Sequence, residues 1–164
     1  MLWGLVYILK RKFSRAFFMT HPLYRLVNPT DLDTLLSLGL FQKNHKPLVF
    51  LQFLIDQENL VLVEEEGEVL GIAANDYMWS DVPMLSFLEI IKRENRRKGY
   101  GRGLVEHLSH VLKKRGHTTL FSSTMIENLI SQKFHESMGF EEVGSVNFNL
   151  QAARPEEIFY KKML

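Results

Sequence analysis

The chain has 164 residues, 46% of them hydrophobic and 24% charged, which is the composition of one ordinary globular domain able to bury a core. Twenty basic and nineteen acidic side chains give a net charge of only +1. There is no cysteine, which excludes disulfides, thiolate metal sites and a cysteine nucleophile while saying nothing about compartment.

The charge is unevenly spread. Residues 1–18 hold Lys10, Arg11, Lys12 and Arg15 and no acid, so the remainder sums to −3. Residues 1–9 are apolar and residues 10–15 basic, the reverse of a secretory signal, and the apolar run is too short to span a bilayer. Two readings stay open. Leu2, Val6, Leu9 and Phe13 form a stripe suited to a membrane surface or a partner, or translation starts at Met19. The domain proper is expected over residues 19–164.

Residues 23–28 read as a strand. Pro29, Thr30 and Asp31 open a helix with Thr30 as its N-cap, ending near Gly39. A second helix follows at residues 47–57, with Leu48, Leu51, Phe53, Leu54 and Ile55 as its apolar set. Strands are expected at residues 60–63 and 69–77 around a turn at Glu66 and Gly67, and at 84–92 after a loop at 80–83. Residues 101–115 carry Leu104, Val105, Leu108, Val111 and Leu112 on one helical face, with Gly116 as the stop. A strand at 118–124, a helix at 129–137 and strands at 141–148 and 158–163 complete an α/β domain.

Between the strand at 84–92 and the long helix lies the most informative segment. From Lys92 to Arg102 there are six basic residues and one acid, Glu94, threaded by Gly99, Gly101 and Gly103. Glycines let a ligand approach the backbone, and the first amides of the following helix have no partner within it. Together with the helix dipole they make an anion cradle. The spacing is not that of a P-loop, since no Gly-Lys-Ser/Thr occurs, nor that of the dinucleotide fingerprint, since the glycines are spaced two and two. A basic run is by itself a solvated face or a nucleic-acid patch. Its coincidence with the glycines favours the clustered phosphates of one small ligand, and no specific nucleic acid is expected.

Arg96, Gly99 and Gly101 follow an Arg-x-x-Gly-x-Gly pattern that resembles the acetyl-CoA pyrophosphate loop of the GNAT superfamily of N-acetyltransferases. Downstream, Asn128, Ser131, Phe134, Gly139 and Phe140 fall where that family carries Asn, a small residue, Phe or Leu, and Gly-Phe. The opening at residues 23–33 and the closing strand are similar to the family's as well, so the resemblance covers about residues 23–164. It implies a single-domain α/β fold with a central mixed, mostly antiparallel sheet flanked by about four helices. It also implies acetyl-CoA as co-substrate and no metal. The amine acceptor is expected to be a small molecule or a peptide, in a cytoplasmic protein with no transmembrane segment and compatible with a homodimer.

Carried over position by position, the resemblance gives the backbone of Ile91, Lys92 and Arg93 to the pantetheine arm. It gives Arg96, Arg97, Lys98, Gly99, Tyr100, Gly101, Arg102 and Gly103 to the pyrophosphate, and the Asn128 side chain to the arm. Asn128 is equally placed to cap the helix beginning at Leu129. His135 stands where the family has a tyrosine that protonates the departing thiolate. Tyrosine, with a pKa of about 10, stays protonated at neutral pH, whereas a histidine near 6.5 is mostly neutral. His135 is thus either a partner of the thiolate or a half-buried helical histidine.

Glu89, inside the apolar run Phe87-Leu88-Glu89-Ile90-Ile91, is the candidate base; an exposed or paired glutamate is the alternative. His107 and His110 are three apart on a helix face that supplies no third ligand, so solvated surface is the expectation. Ser122 and Ser123 lack a nucleophile elbow. Phe50, Phe53, Tyr77, Trp79 and Phe148 are candidates for an acceptor pocket, with aromatic core as the default. The expected function is acetyl-CoA-dependent N-acetyl transfer to a primary amine by direct attack in a ternary complex. The alternative is a non-catalytic acyl-CoA-binding module of the same fold.

Overall fold

Two strongly apolar runs form adjacent inner strands of one sheet. In the computed structural model, which describes residues 21–41, 46–147 and 156–164, β2 (Leu60–Glu65) and β3 (Glu68–Met78) pair antiparallel. The expected turn joins them. Glu66 and Gly67 both have positive φ, 53° and 80°, as a two-residue hairpin of this hand requires. The runs are continuous rather than alternating because both faces are covered. Val61, Val63 and Ala73 pack against one layer of helices, and Leu60, Leu62, Ile72 and Ala74 against another.

The other strands are β1 (Leu23–Leu26), β4 (Val82–Ile90), β5 (Thr119–Met125), β6 (Glu141–Val146) and β7 (Glu157–Met163). Their order across the sheet is β1-β2-β3-β4-β5-β7-β6. Every neighbouring pair is antiparallel except β4 and β5. Among the described residues there are four α-helices: α1 (Leu32–Ser37), α2 (Pro47–Asp56), α3 (Tyr100–Lys114) and α4 (Leu129–Ser137). Leu104, Val105, Leu108 and Leu112 of α3 are fully buried on one face of the sheet, and Leu35, Leu51 and Leu54 of α1 and α2 on the other. The mixed, mostly antiparallel α/β fold is as expected.

The departures are local. β1 stops at Leu26, and residues 29–31 form a 3₁₀ turn before α1 instead of the helix itself. Thr30 is therefore not the cap. The turn is closed by Asp31, whose carboxylate accepts from the Asn28 N–H at 2.8 Å. β4 begins at Val82 and ends at Ile90, because residues 93–95 tighten into another 3₁₀ turn. The two N-terminal readings, Met19 and Phe148 lie outside the described residues.

Arg25 fastens α1 to the sheet. Its guanidinium donates to both carboxylate oxygens of Asp31, at 2.7 and 2.9 Å, and to both of Glu64 on β2, at 3.1 and 3.0 Å. The bond to Arg25 holds the Asp31 carboxyl below its usual range. That stabilisation is present above the unfolded carboxylate pKa and is lost as pH falls through the lower folded value. Arg25→Met leaves two half-buried carboxylates unpaired and is expected to cost about 2 kcal/mol at pH 7, roughly 4–8 °C in melting temperature. Melting curves of both proteins from pH 7 to pH 3 check this. The gap should narrow below about pH 4, and a gap independent of pH would refute the ion-pair account.

Candidate active site

β4 and β5 share only two rungs, Met84 with Phe121 and Leu85 with Ser122. The cause lies one residue further on. Ala74 opposes Phe87 while Asn75 opposes Leu85, so Ser86 is an extra residue in β4, and a bulge of this kind bends the strand that carries it. Beyond it β4 follows β3 alone, and a split opens between the halves of the sheet.

The free edge of β4 can be read from the register. The Ile91 N–H donates to the Leu70 carbonyl at 3.0 Å, so its backbone faces β3. Alternation then turns the amides and carbonyls of Leu88 and Ile90 and the amide of Lys92 toward the split, while the Lys92 carbonyl accepts from the Asn95 N–H at 3.0 Å. Ile91, expected to offer its amide to a ligand, uses it within the sheet. An open strand edge inside a sheet recognises extended groups that carry amides of their own.

The split leads into the glycine segment. Arg97 and Gly99 have φ of 63° and 92°, and Gly99 is the left-handed residue from which α3 starts. The first bond inside α3 runs from the Gly103 N–H to the Gly99 carbonyl at 3.0 Å. This leaves the N–H groups of Tyr100, Gly101 and Arg102 pointing out of the helix end without helical partners. Arg96, Arg97, Lys98 and Arg102 are exposed around them. Lys98 Nζ is tied to Asn95 Oδ1 at 3.0 Å, Arg102 Nη2 to the Ser137 carbonyl at 3.1 Å, and Lys92 Nζ to Glu68. Orphan amides, a helix dipole and exposed cations make a site for phosphate oxygens.

Gly103 does not belong to that cradle. Its amide is used in the helix, and an added Cβ would lie 2.2 Å from Cζ of Tyr24. It is glycine so that the Tyr24 ring of β1 can lie against α3. At Gly101 a Cβ would meet only the Phe134 ring, at 3.7 Å, an ordinary contact.

His135 is 4% exposed and both its ring nitrogens are occupied. Nδ1 lies 2.7 Å from the Ser131 carbonyl oxygen, which can only accept, so Nδ1 carries the proton. In the neutral ring Nε2 then accepts from the Ser122 hydroxyl at 2.8 Å. The ring stacks on Tyr160, with centroids 4.7 Å apart, and meets Phe140 edge-on. Burial pushes its pKa down, partly opposed by the Ser131 bond. Its only N–H being committed, neutral His135 has no proton to offer a sulfur. Asn128 caps α4 by accepting from the Ser131 N–H at 3.2 Å.

Glu89 and Phe87 stand on the opposite face of β4 from α3, together with Ile91. Phe41 packs on Phe87 with centroids 4.5 Å apart and on Phe50 at 5.6 Å. Of the expected aromatics among the described residues, only Phe50 joins this group. Phe53 is half exposed, Trp79 is 84% exposed at the β3–β4 turn, and Tyr77 lies against His117. Across the split on the same face, Ser123 Oγ donates to Glu157 Oε2 at 2.8 Å. Phe41, Phe87, Ser123 and Glu157 were not expected here. The period of two within each strand was available for three of them, but the strand order that unites them was not. His107 and His110 border a groove between α3 and β1, and among the described residues no group of three or more His, Asp or Glu side chains is placed to hold a metal.

The model of the acetyltransferase (GNAT) family matches residues 21–140. No curated protein matches the chain. Among solved structures, a GNAT-family acetyltransferase from Bacillus cereus is similar at 25% identity, with a TM-score of 0.71, over 87% of this chain and 97% of that one. The ribosomal-protein-S18-alanine N-acetyltransferase of Escherichia coli is similar at 21% identity, TM-score 0.66, over 87% and 94%. A candidate streptothricin acetyltransferase from Bacillus anthracis, in complex with acetyl coenzyme A, is similar at 17%, TM-score 0.57, over 64% and 61%.

Gly103→Ala tests the reassignment of that residue. It should lower the melting temperature through overpacking against Tyr24, by about 1–3 kcal/mol, while leaving anion binding by the folded protein unchanged. The double variant Tyr24→Ala/Gly103→Ala should lose less than the sum of the singles. Additive losses would show that the two side chains do not meet.

Proposed function

The chain belongs to the acetyltransferase (GNAT) family, and from this premise we propose that it transfers the acetyl group of acetyl-CoA to a primary amine by direct attack. One observation carries the reading: the free edge of β4 leads, through the 3₁₀ turn at residues 93–95, to the unpartnered amides at the start of α3. The first suits the amides of a pantetheine arm and the second a pyrophosphate. The binding of acetyl coenzyme A by the Bacillus anthracis protein supports the same ligand here. The acceptor is a small molecule or a peptide.

In this reading Arg96, Arg97, Lys98 and Arg102 neutralise the phosphates, and the backbone of Tyr100, Gly101 and Arg102 fixes them. Leu88, Ile90 and Lys92 hold the arm in the split, with Asn128 at its far side. The amine enters from the face that carries Glu89. Its nitrogen attacks the thioester carbonyl carbon, the C–N bond forms, the C–S bond breaks, and the nitrogen's proton passes to Glu89 directly or through water. The coenzyme leaves as a thiolate. A thiol has a pKa of about 8.5, so this leaving group needs little help from an acid. His135 acts as a positioning residue that holds Ser122 at the last rung joining β4 to β5.

His135 also motivates a second reading, a domain that holds acyl-CoA without turnover. Thermal unfolding tests the ligand and an amine screen tests the turnover. At a hundred times Kd, acetyl-CoA should stabilise the chain by about 2.7 kcal/mol, roughly 5–10 °C, with ATP giving little. Gly101→Val should abolish the shift with little change in the unliganded melting temperature. Equal shifts in both proteins would remove the cradle from the account.

A further inference from the structure

Glu157 opens β7, and its carboxylate is bound by Ser123 at 2.8 Å. Ser123 is the first residue of β5 beyond the last rung shared with β4. In β5 the buried residues are Leu120, Ser122 and Thr124, and in β7 Ile158 and Tyr160, all on the side of α3 and α4. Alternation therefore sets Ser123 and Glu157 on the other face. Phe121 and Phe159 share that face and are half-buried, as are Phe87 and Glu89 across the split. Lys161 lies on it too, further along β7 and opposite Phe121.

A carboxylate oriented by a hydroxyl, paired across the strands with Met125 and Val146 on a face that also carries the rings of Phe121, Phe159 and Phe87, is suited to an ammonium group with an apolar neighbour. We propose that Glu157, oriented by Ser123, anchors the ammonium of the acceptor, which is a primary amine bearing an aromatic or other apolar group rather than a polyamine. This rests on the acetyltransferase reading above. Glu157 is then a specificity residue: the seated ammonium first loses one proton to water to become the nucleophile, and the second passes to Glu89 or water as the C–N bond forms and the C–S bond breaks, the coenzyme leaving as its thiolate. A free arylalkylamine and the N-terminal residue of a peptide share this chemistry.

The test is steady-state transfer from acetyl-CoA to phenethylamine, to a short peptide beginning with phenylalanine, and to spermidine. It uses the full chain, Glu157→Gln and Ser123→Ala, with melting temperatures in the presence and absence of acetyl-CoA. The apolar amines should exceed spermidine at least about tenfold in kcat/KM. Glu157→Gln should raise their KM about tenfold and Ser123→Ala about threefold, with kcat nearly constant and the acetyl-CoA shift intact. Whichever of the two apolar acceptors is the better substrate identifies the source. If Glu157→Gln fails to fold, Ser123→Ala carries the comparison. Unchanged KM in the variants, a preference for spermidine, or no acceptor at all in a chain that acetyl-CoA stabilises would each overturn the proposal. Absence of the acetyl-CoA shift is a separate result, which overturns the cofactor reading beneath it.

Discussion

Two rungs of parallel pairing hold the halves of this sheet together, and the arrangement of the site depends on their being so few. An interior strand edge without a partner is unstable by itself, since each buried amide or carbonyl without a hydrogen bond costs about 1–3 kcal/mol. The bulge at Ser86 commits β4 to this arrangement by turning it toward β3. On the other side β5 is kept in place by β7, to which it pairs along its whole length. The two halves are thus each complete elsewhere, and the opening between them is a fixed feature of the fold.

The helix that follows is held just as firmly. Tyr24 packs against Gly103, and the Tyr100 hydroxyl donates to Glu65 at 3.2 Å, so both edges of the first turn of α3 are tied to β1 and β2. Four buried leucine and valine side chains secure the rest of α3 to the sheet, each contributing about 1.5–3 kcal/mol. This rigidity matters because orphan amides act on an anion only when they are already aimed at it. The cations around the turn are exposed and screened by solvent, so they steer and neutralise while the backbone fixes position.

What could be read from the residues alone follows the range of the interaction involved. The glycine segment was legible because its chemistry is local: three glycines, six cations and a helix start fall within a dozen residues. The same locality misled at Gly103, where the reason for glycine is a tyrosine nearly eighty positions earlier. The split itself was invisible, since it depends on which residues of β4 and β5 pair. Ser123 and Glu157, 34 positions apart, meet only because β7 inserts between β5 and β6. Glu89 could be placed on a face by alternation, but the aromatic ring on that face from the turn after α1, Phe41, required the tertiary fold.

In the proposed reaction, His135 at the position where a tyrosine was expected bears on where catalysis needs help. When an amine adds to a thioester, either the nitrogen or the sulfur can depart again. A thiolate, whose conjugate acid has a pKa of about 8.5, is a leaving group comparable to a neutral amine. The decision falls to the proton on nitrogen. Once that proton is gone the nitrogen cannot leave, and only the C–S bond can break. A site that removes the proton and holds the amine therefore gains more than one that supplies an acid to the sulfur. The two faces of the split are divided in this way. On the α3–α4 face His135 and Ser122 are buried and bonded to each other, a structural pair with no proton to donate. On the opposite face Glu89 and Glu157 are half-buried and open to a ligand. In the proposed reaction the polar groups that act, Glu89 and Glu157, are on the acceptor's side, and a histidine where a phenol was expected on the other side leaves them in place.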